Sequence, residues 1–438
     1  MYDLISKLTL YRNYNNSYLD NISDIITEFE NVNRSDNNKI NNFIYDLLNF
    51  ASELGLSGNI WNNYLAYLII ISENPFSLQC EKRNGINGSI KHFALSDLKI
   101  IFKLINYKFE NIRILSKDSN FNYLFHFEAE NNKKIHNKNL SNKIMKLSKQ
   151  IRIAKDENEL YDIVTEFYYK NGLGEFGFSK AFRVKTIDNV IELSPIINTD
   201  DVVLSDLVGY EIQKKKLDDN TKAFIEGKEA NNVLLFGDSG TGKSTSVKAI
   251  LNKYYDQGLR IIEIYKHQFE YLSQVINLVK NRNYKFIIYM DDLSFEEYEI
   301  EYKYLKAVIE GGIEIKPGNV LIYATSNRRH IIRETWTDRK DMEVVDDLHR
   351  SDTMEEKLSL VERFGVTINF SSPSMNEFNS IVCNLAKRYK NINLTEEELI
   401  AKANIWELSH GGKSGRTAQQ FINYLAGTYA SDENNVSL

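Results

Sequence analysis

The chain has 438 residues, 42% of them apolar and 12% aromatic, which excludes a disordered or low-complexity polymer and leaves room for two or three domains. Its 54 basic and 60 acidic residues give a formal charge of -6, so the overall balance does not mark a nucleic-acid-coating surface; local basic patches stay open. The two cysteines, Cys80 and Cys383, show neither metal-ligand spacing nor a disulfide framework, which fits a reducing cytosol.

The opening MYDLISKLTL lacks the basic start and long apolar core of a secretory signal. Residues 1–125 read as a mostly helical N-terminal domain, with apolar residues at helical spacing in FIYDLLNFASELG and WNNYLAYLIIISEN. Such a domain is a place for an adaptor or client protein to bind. The apolar patch Leu65–Ile71 is too short to span a bilayer, so the expectation is a cytoplasmic protein with no integral membrane association. Residues 126–199 read as a linking or small mixed domain. The polar stretch at 132–143 is an exposed turn or linker, and Gly172, Gly174 and Gly177 sit in turns of a small packing unit. From 200 to 372 the pattern changes. VLLF, IIEI, KFIIYM and NVLIYAT are short, nearly continuous apolar runs between helical stretches, as in a parallel sheet buried on both faces. Residues 373–432 return to helical spacing and form a small all-helical unit.

Within the α/β stretch, GDSGTGKS at 237–244 fits the phosphate-loop pattern G-x-x-x-x-G-K-[ST] at every fixed position. NVLLF precedes it as a strand and STSVKAILNKYY follows as a helix, which is the context the chemistry needs. Glycines let backbone N–H groups close around phosphate oxygens in front of a helix N-terminus. The expected nucleotide-binding run is Gly237, Asp238, Ser239, Gly240, Thr241, Gly242, Lys243, Ser244 and Thr245, with Thr245 serving equally well as a helix cap. Lys243 is placed to reach the β- and γ-phosphates, and the Ser244 hydroxyl to ligate Mg²⁺. The bland alternative is an ordinary glycine-rich turn. A second signal is KFIIYMDDLSFEE at 285–297, a buried strand ending in two carboxylates. Asp291 is the candidate partner of Mg²⁺ and Asp292 the group that orients or deprotonates water. Either can instead cap a helix. Glu296 and Glu297 read as solvated helix residues or as help for the water.

These residues resemble the AAA+ ATPases over roughly 200–430, and more specifically a poorly characterised bacterial AAA+ family catalogued as a domain of unknown function. The stretches that carry the likeness are NNVLLFGDSGTGKS, DDLSFE, EYKYLKAVIEGGIEIKPGNVLIYATSNRRHIIRE and KLSLVERFG. The resemblance implies a P-loop NTPase with a five-stranded parallel sheet, order 5-1-4-3-2, and makes the C-terminal helical unit a lid. It implies that Val208, Gly209 and Tyr210 in LSDLVGYEIQKKKL line a base pocket, although Tyr210 serves equally well in core packing. It makes Asn327 a polar sensor of the γ-phosphate or water. Arg328 and Arg329 follow, and face a neighbouring subunit, nucleic acid or solvent, with a subunit or solvent face favoured over direct contact with ATP. It makes Arg363 in KLSLVERFG an arginine finger entering a neighbouring subunit's site, against the alternative of a surface salt bridge. It makes Arg416 in GGKSGRTAQQFINYL a second arginine sensor on the lid, with Lys413 a weaker alternative. Many AAA+ proteins have Glu after the metal-binding Asp where this chain has Asp292; the bacterial family resembled here shares the Asp–Asp form.

The expected function is ATP binding and Mg²⁺-dependent hydrolysis in a homo-oligomer that acts on an unidentified protein client or adaptor. Three other functions would use the same loop: a small-molecule kinase, a nucleotide-gated scaffold with little turnover, and a DNA-associated clamp-loader-like factor. For the last, net charge gives no support; the basic cluster Lys214, Lys215 and Lys216 could meet phosphate, although such lysines more often form a solvated helix face.

Overall fold

The structure, a computed structural model, describes residues 5–12, 37–107, 109, 123–128, 138–187, 190–295, 301–310, 317–327, 361–389 and 391–434. It divides into two units, Met1–Ser179 with Pro195–Asn198, and Lys180–Ser194 with Thr199–Leu438.

The first unit is built from helices α1 (Asn37–Leu54), α2 (Ile60–Ile71), α3 (Pro75–Lys82), α4 (Ser89–Ile105), α5 (Lys138–Arg152), α6 (Glu157–Asn171) and the short α7 (Gly174–Phe178). In α2, IWNNYLAYLIII is apolar nearly all round, and a helix of that kind belongs in the middle of a core. Ten of its twelve residues are buried. Asn59 caps it by accepting the Asn62 N–H, and the Trp61 indole N–H donates to the Leu104 carbonyl of α4 at 2.9 Å. Helix α5 packs on α2 with a narrow apolar stripe, Leu140, Ile144, Leu147 and Ile151, all buried. Asp97 of α4 is fully buried, and its carboxylate accepts the N–H groups of Thr9, Leu10 and Tyr11, the Leu10 bond being 2.7 Å. Burial raises its pKa, and those three donors oppose the rise.

The second unit contains β1 (Ala181–Ile187), β2 (Val190–Ile196), α8 (Glu211–Ile225), β3 (Val233–Gly237), α9 (Lys243–Tyr254), β4 (Leu259–Glu263), α10 (Leu272–Val279), β5 (Lys285–Met290), α11 (Glu301–Glu310), β6 (Val320–Ser326), β7 (Val366–Phe370), α12 (Met375–Ala386), α13 (Glu396–Ser409) and α14 (Gly415–Asn434). The strands form one sheet in the order β2-β1-β4-β5-β6-β3-β7. This corrects the expected five-stranded sheet of order 5-1-4-3-2: among the described residues the sheet has seven strands, and it is mixed. The two extra strands precede the glycine loop 237–244 and extend the sheet beyond β4. Pairings of β1 with β4, β4 with β5, β5 with β6, β6 with β3 and β3 with β7 are parallel. A two-residue link between β1 and β2 has the length of a hairpin, which admits only antiparallel pairing.

The parallel strands are apolar along their length because both faces are covered; every residue of β6 is buried. Helix α9 packs on β4 and β6, and α8 on β7. Beyond β7, α12, α13 and α14 close on a core of their own around Phe378, Val382, Leu399, Ala403, Phe421 and Ile422, and Val208 packs against it. Among the described residues no helix is long and apolar enough to cross a membrane.

Candidate functional site

Register brings the site together. Met290 pairs with Ala324, so Asp291 and Asp292 leave β5 beside Thr325. Phe236 pairs with Ser326, so Asn327 leaves β6 beside Gly237. All of these are strand carboxyl ends, where open α/β sheets bind ligands, and β3 lies where the connections diverge, between β6 and β7. A cleft of about 830 Å³ lies there. It is lined by the loop from Ser239 to Thr245, by Asp291, Asp292, Thr325 and Asn327, by Val208 and Tyr210, and by Arg416 of the helical unit. The volume falls within the usual range for small-molecule pockets.

The glycine loop 237–244 is tied at both ends. Gly237 has φ +129°, and a side chain there would meet the Phe370 carbonyl oxygen at 2.2 Å. Gly240 has φ +75°, its carbonyl accepts the Arg416 N–H at 3.2 Å, and a Cβ would lie 2.9 Å from Arg416 Cβ and from Ser414 Oγ. The loop thus bears directly on the first turn of α14. Asp238 turns its carboxylate away from the cleft to accept the Ser372 hydroxyl at 2.8 Å and the Ser372 N–H at 2.7 Å. Those bonds hold its carboxyl below the usual range.

Lys243 is buried and donates to the carbonyls of Gly237 at 2.9 Å and Asp238 at 2.6 Å, and to Asn327 Oδ1 at 3.0 Å. Burial lowers its pKa, and Asp238, Asp292 and Asp291 oppose the fall. Asn327 in turn donates to Asp292 Oδ1 at 2.6 Å, so it bridges the lysine to the second carboxylate. Asp292 has φ +52°, a left-handed backbone that Asp tolerates better than most residues. Ser244 Oγ donates to Asp291 Oδ1 at 2.8 Å. Desolvation would raise the Asp291 pKa, but hydrogen bonds from Thr325, Tyr289, Ser244 and the Asp292 N–H prevail and lower it. Burial and then the Asp291 charge raise the Tyr289 phenol.

Other sequence candidates fall differently. Val208 and Tyr210 line the cleft, Tyr210 donating to the Ser371 carbonyl at 2.9 Å with its ring 5.2 Å from that of Phe370. Gly209, Gly237 and Asp238 are outside the lining, and so are Lys413 and Arg363. Arg363 is exposed and pairs with Glu310 at 3.0 Å. Lys214 is buried, bonded to the Leu207 carbonyl and to Glu211, and Lys216 donates to the Thr367 carbonyl, so these lysines do not present one free basic face. Glu296, Glu297, Arg328, Arg329 and His330 lie outside the described residues. Sequence reading missed Thr325 and Tyr289, which hold Asp291, and the ion pair of Arg388 with Asp206 at 3.1 Å, whose partners both line the cleft. Position offered a signal for the first two, since each lies two residues before a residue at the strand end.

Residues 178–429 match the family described as "Protein of unknown function (DUF815)". The chain belongs to this family. The DUF815 match takes in the whole seven-stranded sheet and most of the helical unit. No curated protein matches the chain. In fold, this DUF815 chain is distantly similar to the Thermotoga maritima RuvB Holliday junction branch migration motor, at 16% identity over 53% of this chain and 66% of that one, TM-score 0.36. It is similarly distant from the AAA domain of FIGL-1 in complex with ADP, at 17% identity over 54% of this chain and 76% of that one, TM-score 0.36.

Proposed function

We propose that the chain is a Mg²⁺-dependent ATPase of AAA+ type working as a homo-oligomer on a protein client or adaptor. One observation carries the reading: Ser244 of the phosphate loop and Asp291 at the end of β5 meet at 2.8 Å on the floor of a cleft that also holds Lys243, Asn327 and Asp292. A serine hydroxyl in the first turn of α9 and a carboxylate just past the end of β5 are hard oxygen donors suited to a Mg²⁺ that keeps water and phosphate as its other ligands. Among the described residues no group of three or more His, Cys, Asp or Glu side chains is placed to hold a metal, and a site completed by nucleotide phosphate needs none.

Lys243 would leave the loop carbonyls for the phosphates, a stronger anionic partner for a desolvated cation. The Mg²⁺ held by Ser244 and Asp291 would neutralise charge on the phosphate oxygens. Asp292 would orient and accept a proton from water, with Asn327 fixing both. The water oxygen bonds to the γ-phosphorus as the bond to the bridging oxygen breaks, releasing ADP and phosphate. Arg416 would approach the γ-phosphate from the lid, and Val208 with Tyr210 would flank the base. Arg363, outside its own cleft, would serve a neighbour's site as a finger. We assign the domains as 1–125 for client or adaptor binding, 126–199 as a link, 200–372 as the nucleotide-binding core and 373–432 as the lid.

A second reading, a nucleotide-gated scaffold, is favoured by Asp292: it is one methylene shorter than Glu and already engaged by Asn327 at 2.6 Å. Mg-ATP turnover per subunit, measured across protein concentration with mass determined in the same samples, separates the two. Turnover should rise with assembly, vanish in Lys243→Ala, and recover on mixing Arg363→Ala with Asp291→Ala subunits. Normal turnover by Lys243→Ala sinks the enzyme reading. Tight ATP binding without turnover selects the scaffold.

A further inference from the structure

Three hydroxyls converge on one oxygen of Asp291. Tyr289 Oη donates to Oδ1 at 2.7 Å, Thr325 Oγ1 at 2.6 Å and Ser244 Oγ at 2.8 Å. Ser244 belongs to the phosphate loop. The other two stand on the sheet: Tyr289 in β5 is 6% exposed and Thr325 in β6 is 2% exposed. Side chains two apart on a strand point the same way, so the Tyr289 phenol runs alongside the carboxylate that follows it. Its neighbours in β5 are Phe286, Ile287, Ile288 and Met290, all buried. Phenylalanine would fill such a position without a polar atom to satisfy, so the hydroxyl is the part of Tyr289 that packing does not require. The Thr325 hydroxyl also accepts the Asp292 N–H at 2.9 Å, which fixes the left-handed turn between the two carboxylates.

A carboxylate oxygen offers about two lone-pair sites. Two rigid hydroxyls therefore commit Oδ1 to the protein and leave Asp291 one oxygen to present. Mg²⁺ requires near-octahedral geometry and takes single carboxylate oxygens, whereas Ca²⁺ accepts a carboxylate through both. We infer that Tyr289 and Thr325 are positioning residues that hold Asp291 in a one-oxygen presentation and so set the cleft's affinity for Mg²⁺ and its preference for Mg²⁺ over Ca²⁺, an inference that rests on the Mg-nucleotide reading above.

The test is Tyr289→Phe in the full chain, loaded with a fluorescent ADP analogue and titrated with Mg²⁺ and, separately, Ca²⁺. Loss of a group that orients a metal ligand commonly weakens the metal by roughly tenfold or more. Mg²⁺ affinity should fall by about that factor and Ca²⁺ affinity by less, narrowing the ratio, while nucleotide affinity in EDTA stays at the wild-type value. Thr325→Val should act in the same direction and Thr325→Ser should restore the wild-type ratio, which keeps the test open if one variant fails to fold. A wild-type protein that discriminates between the metals alongside a Tyr289→Phe protein with the same ratio overturns the positioning role and leaves the ATPase reading intact. Nucleotide binding by wild type that is indifferent to either metal overturns both.

Discussion

Replacing Gly240 by alanine isolates the contact between the glycine loop 237–244 and the helical lid. At φ +75° a side chain costs about 1–2 kcal/mol from left-handed backbone strain alone. The new Cβ would lie 2.9 Å from Arg416 Cβ and from Ser414 Oγ, against an ordinary carbon–carbon separation of roughly 3.5–4.0 Å. Relief requires α14 to back away, which breaks the 3.2 Å bond from the Arg416 N–H to the Gly240 carbonyl, worth about 1 kcal/mol. It also disturbs Ser414, which is buried and accepts the Thr417 N–H at 3.1 Å. The total is about 2–4 kcal/mol. Gly209→Ala is the matched control: φ is +80°, and no atom lies within 4 Å of the added carbon, so it carries strain alone, about 1–2 kcal/mol. Hydrogen exchange over residues 414–425 should therefore quicken in Gly240→Ala and not in Gly209→Ala. Affinity for a fluorescent ADP analogue should fall about tenfold further in the former, since 1.4 kcal/mol is a factor of ten in binding. Indistinguishable exchange and affinity in the two variants would refute the claim that this contact couples loop to lid.

In the first unit, Asp97→Ala removes a buried acceptor of three N–H groups and should destabilise that unit by roughly 3 kcal/mol, seen as an earlier urea transition and faster exchange at Thr9, Leu10 and Tyr11. Asp238 gives a pH dependence. Its folded pKa is depressed by Ser372, so its contribution is fully present above the unfolded value, about 3.9, and is lost as pH falls through the lower folded value. The stability gap between wild type and Asp238→Asn should hold from neutral pH down to about 5 and close in acid below the unfolded value; a gap that widens there would contradict the assignment of Ser372 as its partner.

What the sequence disclosed follows from how locally each feature is written. Gly237 to Ser244 and the Asp291–Asp292 pair are contiguous, and the patterns they match are defined by fixed short spacings, so the sequence alone singles them out as candidates. The continuous apolar runs that became β3, β5 and β6 are legible because those strands are covered on both faces. The strands β1 and β2 mix buried with exposed or half-buried residues, so they lack such a run and do not read as strands covered on both faces. The arrangement around Asp291 was illegible for another reason. Thr325 is 34 positions away, and only the pairing of β5 with β6 makes it a neighbour. Arg388 and Asp206 are 182 positions apart by residue number and meet only because the helical unit folds over the segment preceding the phosphate loop.

Asp238 ties these observations together. On the proposed reading, a carboxylate facing inward in this loop would repel phosphate, yet the second position of the loop is acidic. Its side chain instead reaches the Ser371–Ser374 segment, which leads from β7 into α12, while Tyr210 fixes the same segment through the Ser371 carbonyl. Gly240 makes the other connection, to the start of α14. The loop is therefore bonded to the helical unit at both of that unit's junctions with the cleft, the strand-to-helix crossing after β7 and the first turn of α14. A rearrangement of the loop cannot leave both junctions undisturbed, and Asp238, which on the proposed reading is a liability for phosphate binding, is one of the two groups that make this so.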